Sequence, residues 1–269
     1  MSKDSKIEWC HHTFNPWWGC TKVSPGCAHC YAEGFATRVN PGVWGADAPR
    51  RFFGDAHWRE PLAWNKAAEN ARTRHRVFCA SMADVFEDRP DLVAPRERLW
   101  ALIDATPWLD WLVLTKRPEN FERLWPFGWY TGEPAFNWRN LWLGVSVEDQ
   151  RTYDERTPLL YEVPAYIRFI SYEPALWRIN FDHDFSRECD WIIVGGESGP
   201  HARPFSVEWA RAIINHCKKS SLTTCFVKQL GSYPCSFTGT KFVLKDPKGG
   251  DPAEWPADLR VREFPRPRR

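Results

Sequence analysis

Short, almost unbroken apolar runs recur along this chain, with stretches of helical periodicity between them. The runs are Val77-Phe78-Cys79-Ala80-Ser81, Trp111-Leu112-Val113-Leu114-Thr115, Leu141-Trp142-Leu143-Gly144-Val145-Ser146, Tyr166-Ile167-Arg168-Phe169-Ile170-Ser171, Trp191-Ile192-Ile193-Val194 and Cys225-Phe226-Val227-Lys228-Gln229. Each is too short for a helix and apolar on both faces, as in parallel strands covered on two sides by crossover helices. Helical patterns are predicted over Tyr31–Val39, Arg59–Arg74, Pro95–Ala105, Glu119–Leu124 and Val207–Lys218, with Leu62, Ala63 and Ala67 on the buried face of the second. Lys6 to Phe14 supplies a further short strand, which makes seven. The pattern predicts an α/β fold, a full or partial (β/α) TIM-type barrel with parallel strands; a doubly wound sheet has the same periodicity. The barrel domain is expected over residues 1–231 and a short C-terminal extension packed on it over 232–269, where Phe242 to Asp251 is turn-rich and Trp255-Pro256 should pack locally.

Polar residues gather where the runs end: Ser81 and Asp84, Thr115 and Lys116, Ser146 and Glu148, Ser171 and Glu173, Gly196 and Glu197. Any one of them reads equally well as a cap starting the next helix. Five in succession point to a shared pocket, because parallel α/β folds bind ligands at the C-terminal edge of their strands. Gly195 and Gly196 would let backbone approach a ligand closely, although the stretch lacks the spacing of a dinucleotide-binding turn. Lys116, Arg117, Arg168, Glu173 and Lys228 offer a charged lining able to meet phosphate or carboxylate; as single residues they also read as surface ion pairs.

A loop after the first strand carries the densest chemistry. Asn15 to Ala32 holds Cys20, Cys27 and Cys30 in a C-x6-C-x2-C array, and Gly19, Pro25 and Gly26 keep it out of regular structure. Buried cysteines often act as small hydrophobes, which does not explain three in one Gly/Pro-rich loop. Thiolates favour zinc or iron–sulfur clusters. Three are one short of a closed zinc site and one short of the usual four thiolates of a cluster. Either a metal position is left open, or His29, Cys10, His11 or His12 closes a zinc site; both readings stand. Cys79, Cys225 and Cys235 read as buried inert thiols or, for one of them, as a hydrogen-atom donor.

Composition narrows this little. With 269 residues, 43% hydrophobic, 17 Trp and 17 Phe, the chain can build a large core. A formal charge of +2 and a pI near 8.1 give no argument for nucleic acid. The basic ending Arg260 to Arg269 reads as a solvated tail. No signal peptide or membrane span is read, and nine cysteines without a secretion signal suggest the reducing cytoplasm.

The Asn-Pro-x-x-Gly-Cys opening at Asn15 and the Gly-Cys-x-x-Cys-Tyr-Ala that follows resemble the cluster loop of radical S-adenosylmethionine enzymes, in the branch of spore photoproduct lyase and its relatives. Ser81 and Asp84, Thr115-Lys116 and Val145-Ser146 resemble that branch's strand-end motifs. The chain is also similar to a phage-associated three-cysteine-motif family through Cys20-Thr21-Lys22-Val23-Ser24-Pro25-Gly26-Cys27, Leu114-Thr115-Lys116-Arg117-Pro118, Trp142-Leu143-Gly144-Val145-Ser146-Val147-Glu148 and Val194-Gly195-Gly196-Glu197-Ser198-Gly199. The resemblance implies that Cys20, Cys27 and Cys30 ligate a [4Fe–4S] cluster and that S-adenosyl-L-methionine takes the fourth iron. An external electron donor of flavodoxin or ferredoxin type would then release a 5′-deoxyadenosyl radical. It further implies Tyr31 beside the adenine, Ser81 and Asp84 at the methionyl amino group, and Ser146 and Glu148 at the ribose. Lys116, Gly195, Gly196 and Glu197 complete the cofactor's surroundings, while Arg117, Arg168, Glu173 and Lys228 meet the substrate, a nucleotide or nucleic acid. One departure is plain: the family's first cysteine gap is three residues and this one is six. From a different class, a zinc-dependent nucleic-acid-binding protein with a structural three-Cys-plus-His site also accounts for the cysteines, and so does a metal-free interaction protein on a barrel shell.

Overall fold

Burial on both faces turns the apolar runs into strands. In the computed structural model, which describes residues 5–125, 138–181 and 189–265, every residue of Leu141–Val147 and Trp191–Gly195 is buried. The remaining residues, including the first four and the last four of the basic ending, lie outside the described residues. The strands are β1 (His12–Phe14), β2 (His75–Cys79), β3 (Leu109–Thr115), β4 (Leu141–Val147), β5 (Ile167–Tyr172), β6 (Trp191–Gly195), β7 (Phe205–Ser206), β8 (Thr224–Gln229) and β9 (Pro234–Cys235). The helices are α1 (Tyr31–Val39), α2 (Asp55–Ala71), α3 (Val93–Asp104), α4 (Phe121–Leu124), α5 (Gln150–Glu162) and α6 (Val207–Lys219). Seven strands form one sheet in the order β1-β2-β3-β4-β5-β6-β8. The fold is the expected α/β class, a parallel sheet of the partial-barrel kind.

Packing divides the chain into two units: Met1–Val23, Cys30–Gly144 and Val163–Tyr166 in one, Ser24–His29, Val145–Glu162 and Ile167–Arg269 in the other. In the first, β1, β2 and β3 run parallel with His12 opposite Val77 and His75 opposite Leu109. Helix α2 starts four residues before the predicted boundary and buries Trp58, Pro61, Trp64 and Ala68. Leu62, Ala63 and Ala67, the expected buried face, are exposed. Two indoles remove far more apolar surface from water than two alanines, so they set the helix's rotation. Trp64 stacks on His12 at 4.5 Å and Trp58 meets Phe14 edge-on at 5.3 Å.

In the second unit β5, β6 and β8 are parallel neighbours, and α6 buries Val207, Ala210, Ile213, Ile214 and Cys217. Helix α5 has no counterpart in the sequence reading. Its buried stripe is mostly polar (Thr152, Arg156, Thr157 and Leu160), and Pro158 lies within the helix on its exposed side. What starts it is Asp149, whose Oδ1 accepts the Thr152 amide at 2.8 Å. Beyond β9, the chain returns antiparallel to β8: Val227 N donates to Val261 O at 2.8 Å and Glu263 N to Cys225 O at 2.9 Å. This covers an edge strand that would otherwise offer unpaired backbone groups. Trp255, 2% exposed, is buried nearby with its ring N–H on Gly249 O. Among the described residues no helix is long and apolar enough to cross a membrane.

Candidate functional site

In the first unit the chain behind Cys20 is fixed by neutral polar side chains and, beneath them, by charged ones. Asn15, 1% exposed, accepts the Met82 amide at 2.7 Å and donates to Ser81 Oγ at 3.1 Å; Tyr31 donates its hydroxyl to Ser81 O at 3.0 Å. The turn after β2 is therefore pinned to both ends of the cysteine loop's first-unit residues. Asp84 follows, and its carboxylate accepts four hydrogen bonds: Thr115 Oγ1 (2.6 Å), the Phe86 and Lys116 amides (3.0 Å each) and Arg117 Nη1 (2.9 Å).

Arg117 is buried, not a surface lining. It donates to Cys20 Sγ at 3.5 Å and to Thr21 O at 2.6 Å, and Glu87 lies 3.7 Å away. Glu87 is gripped in turn by Arg50 through Nε (2.9 Å) and Nη2 (2.7 Å), and Arg50 also donates to Thr21 Oγ1 at 3.0 Å. Two acids and two arginines thus alternate beneath Cys20. Burial pushes the Cys20 thiol up to about 12, with Arg117 pulling it down and Asp84 and Glu87 opposing. Burial works against the charge on Arg117, but Asp84 and Cys20 outweigh it and its pKa is raised. Cys30 stands in different company, packed on Ala32, Ala36, Val43 and Met82.

In the second unit Cys27 ends a short 3-10 turn, Pro25–Cys27. Ser24 donates to Glu148 Oε1 at 2.7 Å, and its oxygen lies 3.8 Å from Cys27 Sγ. A hydroxyl has one hydrogen, so the thiol is the donor in the second contact. Glu148 is fully buried and also takes Arg156 Nη1 at 3.2 Å. Gly26 lies so close that a Cβ there would sit 2.3 Å from Glu148 Oε1. Glu197 accepts Arg203 Nε and amide (2.9 Å each) and Nη2 (2.6 Å), and His29 Nδ1 at 3.1 Å. The remaining guanidinium nitrogen of Arg203 donates to Pro25 O at 3.0 Å. Burial alone would raise the Glu197 carboxyl; the Arg203 bonds, with His29 adding to them, hold it below its usual range.

The other strand-end candidates of this unit form a second group. Ser146 donates to Glu173 O at 3.1 Å, and Glu173 pairs with Lys228 at 2.6 Å, both under a fifth exposed. Gly195 borders Glu173 Oε1, where an added Cβ would lie at 3.4 Å. Gly196 has a different role from the one expected: a Cβ would sit 2.4 Å from Leu230 O, so the backbone it admits is the chain's own. Arg168 is not brought to this group. It is the second residue of β5, at the opposite end from Glu173, where its amide donates to Asp190 at 2.8 Å.

Ser24 lies within the cysteine-loop motif, whereas Arg50, Glu87, Arg156 and Arg203 carry this arrangement and have no periodic signal in the sequence. Their one visible sign is charge amid apolar or turn residues, as in Asp84-Val85-Phe86-Glu87. Of the alternative fourth ligands, His11 accepts the Arg76 amide at 2.8 Å, His12 meets His75 nitrogen to nitrogen at 3.1 Å, and Cys10 donates to Ser5. Cys79, Cys225 and Cys235 are buried; burial pushes Cys79 up, and the Cys217 hydrogen bond together with burial does so for Cys225. Among the described residues no group of three or more His, Cys, Asp or Glu is arranged to hold a metal ion. In kind, the donor set suits a soft metal centre: Cys20, Cys27 and Cys30 are all free thiols, none fully buried.

Two solved structures of spore photoproduct lyase variants are similar to this chain. A cysteine-to-serine mutant has a TM-score of 0.47 and 15% identity, and a tyrosine-to-phenylalanine mutant 0.44 and 13%; each comparison covers 90% of this chain and 71% of the other. No curated protein matches. A family model matches residues 4–248, nearly the whole chain, so this chain belongs to the family described as "Protein of unknown function (DUF5131)".

Proposed function

We propose that this chain is a radical S-adenosylmethionine enzyme in which Cys20, Cys27 and Cys30 hold a [4Fe–4S] cluster and leave one iron for the cofactor. The observation that carries the reading is Cys20: a free thiol of a three-cysteine loop whose sulfur accepts a hydrogen bond from a buried guanidinium. A charged donor favours anionic sulfur, and such outer contacts are how proteins orient and tune metal-bound thiolates. The reading draws on the loop's motif for the identity of the cofactors. When bound, cluster and cofactor supply a 5′-deoxyadenosyl radical that abstracts a substrate hydrogen.

The protein's part is to bind, orient and exclude water. Tyr31, Ser81 and Lys116 of the first unit, and Ser146 with Gly195 of the second, are the groups proposed toward the cofactor; Gly196 is left out, its backbone being taken up by Gln229. Asp84, Glu148 and Glu197 act by holding their neighbours, since their carboxylates already accept the contacts given above. Glu173 and Lys228 are the proposed substrate contacts, suited to a nucleotide or nucleic acid through the ammonium group's affinity for phosphate. Arg168, at the other end of β5, has no part in it. Electrons come from a flavodoxin- or ferredoxin-type donor, in the cytoplasm. The test is anaerobic reconstitution with iron and sulfide, then dithionite and S-adenosylmethionine. Release of 5′-deoxyadenosine, abolished in Cys20→Ala, supports the reading; its absence from an iron-loaded protein counts against it.

One observation favours a second reading, a structural zinc site completed by His29. Its Nδ1 donates to buried Glu197, the usual posture of a metal-binding imidazole whose other nitrogen faces the metal. One tightly bound zinc per chain, lost in His29→Ala, would decide for it.

A further inference from the structure

We propose that Glu148 and Arg203 are positioning residues for Cys27, and that the long gap between the first two cysteines is what they grip. The residues in that gap are not a loose excursion. Ser24, Pro25 and Gly26 are each engaged: the Ser24 hydroxyl by Glu148, the Pro25 carbonyl by Arg203, and Gly26 by contact with the Glu148 carboxylate so close that no Cβ fits. On the far side of Cys27, His29 is tied to Glu197, the same carboxylate that Arg203 forks. Cys27 is thus bracketed within the second unit by two anchored residues, and its own sulfur lies against the Ser24 hydroxyl.

The charges make this a clamp with fixed parts. Arg156 holds Glu148 from behind, at 3.2 Å, and Arg203 holds Glu197 bidentately, so neither acid can swing away without leaving a buried cation or anion unpaired. A polar turn that would otherwise sample many conformations is held to one, with Cys27 at its end. Gly26 is required by the same geometry: any side chain would push the turn off Glu148. The sequence stretch Ser24-Pro25-Gly26-Cys27 therefore reads as a fitted part, and Glu148 and Glu197 as its sockets.

The consequence for metal binding rests on the proposed reading of Cys27 as a ligand, but the clamp itself is tested without metal. Full-length metal-free protein is treated with iodoacetamide under native conditions, and alkylation of Cys27 is followed by peptide mass spectrometry in wild type, Ser24→Ala, Ser24→Thr, Arg203→Gln and Gly26→Ala. Ser24→Ala and Arg203→Gln are expected to speed Cys27 alkylation from a few-fold to about tenfold. Buried Cys189 should stay protected, and Ser24→Thr, which keeps the hydroxyl, should restore the slow rate. After reconstitution, the same two variants should hold less iron and show altered EPR g-values for the reduced cluster. Unchanged Cys27 rates in variants that keep the wild-type circular dichroism would overturn the clamp. Faster Cys27 alkylation in a protein whose wild type takes up no iron would keep the clamp and remove the cluster.

Discussion

Cys20 and Cys27 share a loop, yet their surroundings are built differently. Beneath Cys20 the first unit places a buried sequence of charges, Asp84, Arg117, Glu87 and Arg50, with the last side chain fully shielded from solvent. Around Cys27 the second unit places a turn held by one hydroxyl, one carbonyl and one imidazole, with Arg203 about 29% exposed and His29 about 39%. The first arrangement cannot lose a member without stranding a charge in a low-dielectric interior. The second can lose its hydroxyl or imidazole contact to the turn and let water replace it, because Glu148 stays paired with Arg156 and Glu197 with Arg203. Rigidity at Cys20 is thereby tied to the stability of the fold, whereas order at Cys27 is a local matter.

That contrast orders the expected effects of substitution. Arg50→Met leaves Glu87 buried with only the more distant Arg117, and should cost about 3–5 kcal/mol in urea unfolding. A loss under about 1 kcal/mol would mean the charge array contributes as little as a surface pair. Arg117→Gln should cost about 3 kcal/mol, because Asp84 keeps its Thr115 and amide donors. It should also slow alkylation of Cys20, whose thiolate loses its one cationic donor. Faster alkylation would show that Arg117 mainly shields the sulfur. Gly26→Ala should cost about 1–3 kcal/mol through the clash with Glu148, measured by the same unfolding curves. If it costs as much as Arg50→Met, the two regions do not differ as described.

The smallest effect is one of pH and belongs to the first unit alone. Burial, then Arg76, His75 and His12, lower His11 from 6.5 to about 4. The folded state thus favours neutral His11, and the unfolded chain binds the extra proton between those two values. Stability is complete above pH 6.5 and declines as the pH falls toward 4, with Tm dropping by a few degrees. In His11→Gln the decline over that interval should be shallower; an unchanged slope would assign it to other groups.

Much of the scaffold was legible in the sequence because burial on both faces leaves an unmistakable mark. Each of the seven sheet strands overlaps a predicted run, and α1 matches residue for residue. The reading fell short where polar residues are buried. Helix α5 has a polar inner stripe of Thr152, Arg156 and Thr157, and in α2 two tryptophans outweigh the alanines and leucine that share an apolar periodicity. The strand-end residues stand out in the sequence, but what they touch does not. Asp84 and Glu148 look like ligand-facing carboxylates in sequence, and only three-dimensional placement gives each an arginine and a hydroxyl as neighbours. Arg50 and Arg203 come from turn-rich stretches without periodicity, so nothing local announced that their guanidinium groups point inward.

Under the proposed function, the three loop thiols hold an iron–sulfur cluster with one position open to S-adenosylmethionine. The direct measurement is EPR of the anaerobically reconstituted, reduced protein, recorded before and after adding the cofactor. A [4Fe–4S] signal that shifts on addition, and is lost or no longer shifts in Cys27→Ala, is the predicted result. An EPR-silent protein that refuses iron and carries one zinc per chain would contradict it.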